Sequence, residues 1–346
     1  MRLKIKPENS IEWIALLFNL APKPLIDTQV SFNAARAIMA AADLGIFEAL
    51  GKTPKTIEQI INTTNTHLLA TKNLLNCLVA MNYVIWNKDN YALNKKYYKW
   101  LLKEYPSNVI GKLQFQISEW NWMANLENFI KTGKSMNLHA IMSKEEWEKY
   151  QNGMRDLSIN AAKELALKIN IPKNATKMLD IGGSHGMYSI ELCKRNELLT
   201  STILELSNAI DRASAIAAQQ NLTNRVKYKT GNALTDDLGD QEYDLIMINN
   251  VVHHFTLEEN KILAHKIAKA LKPGGIYAIG EFIRLQKPGE GGVVAATSSL
   301  YFALTSSSGT WSLEEMRSWQ IEAGLNDVKP ISLLSLPGWK VSMAFK

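Results

Sequence analysis

Cysteine is scarce: the 346 residues contain two, Cys77 and Cys193. Two cysteines supply neither a disulfide framework nor the Cys-x-x-Cys spacing of a zinc site. Both fall in apolar helical patterns, where a thiol packs as a small hydrophobe, and that usage fits a reducing cytoplasm. Histidine is also sparse. The six histidines (67, 139, 185, 253, 254 and 265) are scattered and only 253 and 254 are adjacent, so no transition-metal constellation is present and no metal is expected. No apolar run approaches the roughly 18 residues that would suggest a membrane span. The opening MRLKIKPENSIEWIALLFNLAPKP carries early Lys and Arg as a signal peptide does. Glu12, Trp13 and Asn19 interrupt it, however, and no small-x-small cleavage site follows. The expectation is a soluble, unprocessed, cytoplasmic protein. Internal repeats and low-complexity tracts are missing too.

What remains is globular: 46% of the residues are hydrophobic and 21% charged, enough apolar surface for a sizeable core in two ordinary domains. The net charge is +6, and the first hundred residues account for +5 of it, with 12 Lys/Arg against 7 Asp/Glu. A basic front half is compatible with nucleic-acid binding or with a solvated face.

The hydrophobic period changes once, near residue 172. Before it, helical patterns dominate. SFNAARAIMAAADLGIFEAL (31–50) is amphipathic with a break at Gly45, and TIEQII (56–61) is a short helix with Thr56 as its cap. HLLATKNLLNCLVAMNYV (67–84) is a helix with one strongly apolar face, and VIWNKDNYAL (84–93) reads as a hairpin around Asn87-Lys88-Asp89-Asn90. Helix, turn, helix, hairpin is a winged helix. In a DNA-binding winged helix, residues 68–82 would enter the groove. They contain one Lys, Lys72, no Arg, and mostly Leu, Val, Ala and Met, which suits a buried interface better than base contacts. From 95 to 170 the chain is again helical and rich in Trp, Phe and Met.

After residue 172, short apolar runs alternate with helical ones, the pattern of βαβ units and a parallel sheet. The strands are expected at 177–182, 201–206, 225–232, 243–252 and 276–283, followed by two more at 327–334 and 339–346. Helices are expected at 187–195, over NAIDRASAIAAQQ (208–220), and from a capping box at Thr256–Glu259 to Leu271. Lys272-Pro273-Gly274-Gly275 forms the turn before the fifth strand.

The first strand ends in Asp180-x-Gly182-x-Ser184-x-Gly186. Glycine allows a tight turn and close approach of a ligand to the backbone, and the helix that follows presents N–H groups to an anionic moiety. Glu205 closes the second strand, where an acid in a nucleotide-binding α/β fold accepts both ribose hydroxyls. The spacing departs from the G-x-G-x-x-G of a dinucleotide dehydrogenase. The acid-and-glycine loop, the fourth strand with its trailing His, and the LKPGG turn before the fifth strand together resemble the class I S-adenosylmethionine-dependent methyltransferases. With the winged-helix front and helical middle, nearly the whole chain resembles the two-domain small-molecule O-methyltransferases of secondary metabolism. That group includes plant phenol, acetylserotonin and bacterial antibiotic-tailoring enzymes.

The resemblance implies an α/β fold: a C-terminal Rossmann-like domain (172–346) with a seven-stranded, mostly parallel sheet and an all-helical winged-helix dimerisation domain (1–105). Residues 106–171 would form a helical linker contributing to the acceptor pocket. It implies S-adenosylmethionine as cofactor and S-adenosylhomocysteine as product. The cofactor residues would be Asp180, Gly182, Gly183, Ser184, Gly186, Glu205, Leu206, Gly231, Asn232, Ala233 and Asn249. Ser184 stands where the family's DxGGGxG motif has glycine, and Asn232 where it has an adenine-binding acid. His185 falls at the motif's variable position and is read as a bystander.

The family's catalytic histidine, in an apolar-apolar-His-Asp-Trp motif, falls on His253 of Val251-Val252-His253-His254-Phe255. Its orienting acid, 28 residues on, falls on Glu281. A second family acid, in a Gly-Lys-Glu-Arg-Thr segment, has no counterpart in Gly309-Thr310-Trp311-Ser312. The acceptor pocket would draw on Trp120, Met123, Met154, Tyr301 and Leu304. The implied partners are a small acceptor and a second copy of the chain, without nucleic acid or membrane. The implied reaction is O-methylation. C- or N-methylation, or cofactor binding without transfer, are alternatives within the same fold, and a winged-helix regulator is the remote one.

Overall fold

The computed structural model describes residues 6–218 and 224–346. The chain divides into two compact units, one ending at Ser118 and the other running from Glu119 to Lys346.

The front unit is built as the sequence pattern requires. The helix Ser31–Asp43 stops at Gly45, whose left-handed backbone (φ 74°) starts a second helix, Ile46–Leu50. Thr56 caps the helix Ile57–Thr64 through a reciprocal capping box with Gln59. The helix Leu68–Ala80 follows. With β1 as Lys55–Thr56, the hairpin strands are β2 (Val84–Asn87) and β3 (Asn90–Leu93), and they turn on Lys88 and Asp89, both at positive φ (45° and 66°). That is the geometry of the tight hairpin turn matching strand twist. The pair β1–β3 was not legible because two residues cannot show an alternation. The front unit is therefore helical with a three-stranded sheet of order β1-β3-β2, not helical throughout. Phe47, Leu50, Ile60, Leu75 and Leu78 form its core.

The second unit carries β4 (Lys177–Ile181), β5 (Thr200–Glu205), β6 (Val226–Thr230), β7 (Tyr243–Asn249), β8 (Leu271–Phe282), β9 (Asn326–Ser332) and β10 (Trp339–Phe345). They form one sheet of order β6-β5-β4-β7-β8-β10-β9. The first five are parallel, and β10 runs antiparallel between β8 and β9. Alternation assigns the faces. Met178, Leu245, Met247, Ile276 and Ala278 pack under the helices Lys144–Lys168 and Met187–Arg195. Leu179, Ile181, Ile246, Ile248, Tyr277 and Ile279 pack on the other face, with the helices Leu257–Ala270 and Leu313–Glu322. Pro330 falls in β9, an edge strand, where its missing N–H is tolerated.

Several boundaries differ from expectation: β7 ends at Asn249 and not at 252, β6 and β9 are shorter than 225–232 and 327–334, and the start of β8 differs most. The strand β8 begins at Leu271: Leu271 pairs with Tyr243 and Ile276 with Leu245, so Lys272–Gly275 bulges from the ladder with Gly274 at φ 77°. The helix expected over 208–220 is described as Ser207–Ala218, its last two expected residues lying outside the described residues.

Candidate active site

The strand order reverses between β4 and β7, and in open α/β sheets ligands bind beyond the carboxyl ends of the strands at such a point. Four predicted residues meet there: Asp180 in β4, Glu205 at the end of β5, Asn249 at the end of β7 and Glu281 in β8.

The glycine loop is crowded. A side chain at Gly182 would put its Cβ 2.6 Å from Val251 Cγ2, and its backbone is left-handed (φ 64°). A Cβ at Gly183 would meet the Asp180 carboxyl carbon at 2.6 Å. Ser184, where a glycine would be at ease, is itself left-handed (φ 42°). Its backbone N–H donates to Glu205 Oε2 at 3.1 Å, and Leu206 N–H donates to Glu205 Oε1 at 2.9 Å. Burial raises the Glu205 carboxyl above its usual range against these two donors. The Leu206 side chain is exposed.

Asp180 is buried in a medium that disfavours its charge, and its carboxyl is pushed up to about 7, burial outweighing the 2.7 Å hydrogen bond donated by Ser189. His185 is buried and its Nδ1 accepts the Met187 N–H at 3.1 Å. Burial, with the Arg155 charge, pulls it down to about 3, so it stays neutral. With Nδ1 bonded to the backbone, this histidine is part of the loop's structure.

Two groups bear on whether a polar ligand fits. The Asp180 Oδ1 and both amide atoms of Asn249 are buried without a hydrogen-bond partner in the structure, a costly arrangement unless a ligand completes it. Asn249 is wedged against β8, where a Cβ at Gly280 would lie 2.2 Å from its Oδ1. At the end of β6, a Cβ at Gly231 would clash with Asp236. The Asp236 carboxylate accepts the Asn232 N–H at 3.0 Å, and the Asn232 side-chain Oδ1 accepts the Leu234 N–H at 3.0 Å. Ala233, next to it, is buried, and its carbonyl accepts from the Lys266 ammonium at 2.7 Å.

His253 sits on a single helical turn, Val252–His254, just past β7. Its Nδ1 lies 2.8 Å from Glu281 Oε2, both side chains buried, and Glu281 Oε1 accepts the Phe282 N–H at 2.9 Å. With the carboxylate accepting at Nδ1, the imidazole leaves Nε2 as a proton acceptor. The ring packs on Phe302 (centroids 4.9 Å apart) and on His254 (4.1 Å).

Among the predicted acceptor residues, Tyr301 contacts the Phe302 ring and its hydroxyl bonds Glu119. Trp120, Met123 and Met154 are half-buried, while Leu304 is fully buried with its carbonyl held by Met136 N–H. The sequence reading missed Tyr150 and Arg155, both on the helix Lys144–Lys168. Burial first, and then the charges of Glu205, Glu119 and Glu281, push the Tyr150 phenol up, so it lies within electrostatic reach of all three carboxylates. Arg155 pairs with the buried Asp156 at 3.2 Å, and its Nε is buried without a partner in the structure.

Comparison with known proteins finds methyltransferases. A family model described as a methyltransferase domain matches residues 179–277. The chain is 25% identical over 195 residues to a 3-hydroxy-5-methyl-1-naphthoate 3-O-methyltransferase of Streptomyces sahachiroi, covering 55% of this chain and 54% of that one. It is 31% identical over 168 residues to an L-tyrosine C(3)-methyltransferase of Streptomyces lavendulae, covering 47% and 44%. The matches thus span about half the length of these two relatives. A third relative, an N,N-dimethyltransferase of Streptomyces rimosus, is 23% identical over 271 residues, covering 74% and 77%. The fold of human N-acetylserotonin methyltransferase, solved in complex with SAM, superposes on 99% of each chain with a TM-score of 0.83 at 15% identity.

Proposed function

We propose that the chain is a small-molecule O-methyltransferase that methylates a hydroxyl of a small aromatic or polyketide-like acceptor, a reading supported by the methyltransferase-domain match over residues 179–277 and by the fold shared with human N-acetylserotonin methyltransferase. The observation that carries the reading is the buried His253–Glu281 pair, 2.8 Å apart, at the same end of the sheet as the glycine loop and Glu205.

Glu205 would take the ribose hydroxyls of S-adenosylmethionine, and Gly231, Asn232 and Ala233 would border the adenine. Asp180 Oδ1, Asn249 and Arg155 Nε would gain partners. When bound, the cofactor supplies a methyl group on a sulfonium and departs as S-adenosylhomocysteine. His253 takes the acceptor's proton at Nε2 while Glu281 holds Nδ1–H and balances the imidazolium charge. Tyr150, Tyr301 and Phe302 flank the acceptor side, and much of the acceleration comes from holding oxygen and methyl at attack distance. Displacement at a sulfonium with a histidine base requires no metal ion in this reading.

A second reading rests on the relative that methylates carbon. The same base would ionise a phenol whose ortho carbon, in place of its oxygen, receives the methyl. The relative that methylates nitrogen supports a third acceptor atom. The front segment supports a homodimer: the helix Ser10–Leu17 buries no residue, and Ile11, Trp13, Leu17, Phe18 and Leu20 are exposed. Against nucleic acid stands the helix Leu68–Ala80, whose one basic residue is Lys72. No described helix is long and apolar enough to cross a membrane, and we place the protein in the cytoplasm. The boundaries 1–105, 106–171 and 172–346 remain our functional division.

The test is calorimetric titration with S-adenosylmethionine and S-adenosylhomocysteine. The intact protein should bind both with micromolar affinity and Glu205→Ala should bind neither. Product mass and NMR after incubation with naphthoate, tyrosine and N-acetylserotonin probes then separate O-, C- and N-methylation. Absence of binding by the intact protein would overturn the reading.

A further inference from the structure

A turn of three residues does not by itself hold a side chain still, yet Val252–His254 carries His253. Two side chains, one from the following helix and one 59 residues on, converge on one atom of that turn, the Val252 carbonyl oxygen. Trp311 Nε1–H donates to it at 2.9 Å and Asn260 Nδ2–H at 3.1 Å. Asn260 also donates to the Phe255 carbonyl at 3.2 Å, so it ties both ends of the turn. The Ser308 N–H adds a bond to the His253 carbonyl at 3.2 Å. Val252, Asn260 and Trp311 are all buried.

A carbonyl oxygen has two lone pairs, and here three donors share them, the third being the Phe255 N–H at 3.1 Å that closes the turn itself. The plane of the Val252–His253 peptide is thereby fixed, and with it the direction in which the His253 side chain leaves the backbone. Trp311 is itself fixed. Its ring meets Trp319 edge-on at 5.2 Å, and its carbonyl accepts the Arg284 N–H at 2.9 Å. Arg284 stands three residues after Glu281. The hydrogen bonds therefore close a circuit running from Glu281 to His253, Val252, Trp311 and back to the strand that carries Glu281.

We infer that Trp311 and Asn260 are positioning residues for His253, holding its turn so that Nδ1 stays 2.8 Å from Glu281. Trp311 lies in the stretch where the second acid of related enzymes has no counterpart. An indole N–H acting on the backbone takes over the orienting work that a carboxylate would do on the ring. The inference rests on the reading of His253 as the base.

The variants are Trp311→Phe, which keeps a ring against Trp319, and Asn260→Leu, which removes both donors at similar volume. Each is compared with the intact protein and with His253→Ala, all loaded with S-adenosylhomocysteine. The first readout is the downfield proton resonance of the His253–Glu281 hydrogen bond, assigned by its loss in His253→Ala. It should broaden or vanish in both variants while S-adenosylhomocysteine affinity stays within twofold. The second, with whichever acceptor probe is turned over, is a kcat at least tenfold lower with KM within twofold. Should Asn260→Leu fail to fold, Trp311→Phe carries the test.

An unchanged resonance and kcat in a folded variant would overturn the inference and leave the base reading standing. Loss of S-adenosylhomocysteine affinity in step with kcat would also overturn it, because the pair would then hold the fold and not the histidine. Full activity of His253→Ala would remove the base reading and this inference with it.

Discussion

Asp180→Asn should stabilise the ligand-free protein, and increasingly so as the pH rises. In the folded chain the buried carboxyl is pushed from 3.8 up to about 7. Between those values the folded state holds a proton that the unfolded state has released. Stability then falls as pH rises through the window, because the slope follows the difference in bound protons. At 1.36 kcal/mol per pKa unit the loss is about 4 kcal/mol by neutral pH. Solvent screening gives little relief, since Asp180 is 1% exposed.

His185 works in the opposite direction. Its folded value lies near 3, below the 6.5 of the unfolded chain, so its contribution is present above 6.5 and lost as pH falls toward 3. Between about pH 4 and 6.5 the two slopes oppose each other in the intact protein, so its own profile is a poor test and the difference between variant and parent is a good one. An asparagine keeps an oxygen for the Ser189 hydroxyl and cannot ionise. The assay is the thermal midpoint of both proteins from pH 4.5 to 8 without ligand. At pH 4.5 the gap should be small, about 1 kcal/mol or a few degrees. By pH 8 the variant should melt on the order of 10 °C higher, at roughly 2–4 °C per kcal/mol for a unit of this size. A gap that stays constant with pH, or that widens with the variant below the parent, would refute the buried-carboxyl argument.

Two further predictions concern the loop. Ser184→Gly should stabilise the fold slightly, by less than about 1 kcal/mol, read as a small rise in thermal midpoint, because relief of the left-handed backbone is partly cancelled by unfolded-state entropy. It should keep cofactor binding, since the bond to Glu205 comes from the backbone N–H. Ser184→Val should lose both, and equal behaviour of the two variants in melting and titration would contradict the assigned strain. Gly182→Ala should cost about 2–4 kcal/mol from its φ of 64° and from a Cβ 2.6 Å from Val251. Adding Val251→Ala should recover part of that loss in urea unfolding, and strict additivity of the two changes would argue against the contact.

Much of this protein is legible in the order of its residues. Short apolar runs set between helical patterns placed the seven strands of the large sheet to within about five residues, because strands covered on both faces by helices are apolar nearly throughout. Thr56 and Thr256 marked helix starts, since a hydroxyl followed three residues on by Gln59 or Glu259 can satisfy two backbone donors at once. The pairing of His253 with Glu281 was read from resemblance; no local period encodes it, and the structure places the two in hydrogen-bond contact.

Other features belong to the tertiary structure alone. The bulge at Lys272–Gly275 depends on how β8 registers against β7. The place of Tyr150 among three carboxylates depends on where a long helix lies over the sheet. The meeting of Trp311 and Asn260 at the Val252 oxygen joins residues 59 and 8 positions away. Local periodicity determines which face of each element is buried, because the sheet and helix repeats are properties of neighbouring residues. Which strand ends lie side by side is set by the order β6-β5-β4-β7-β8-β10-β9. That order is decided by packing among distant elements, and it alone brings Asp180, Glu205, Asn249 and Glu281 to one end of the sheet.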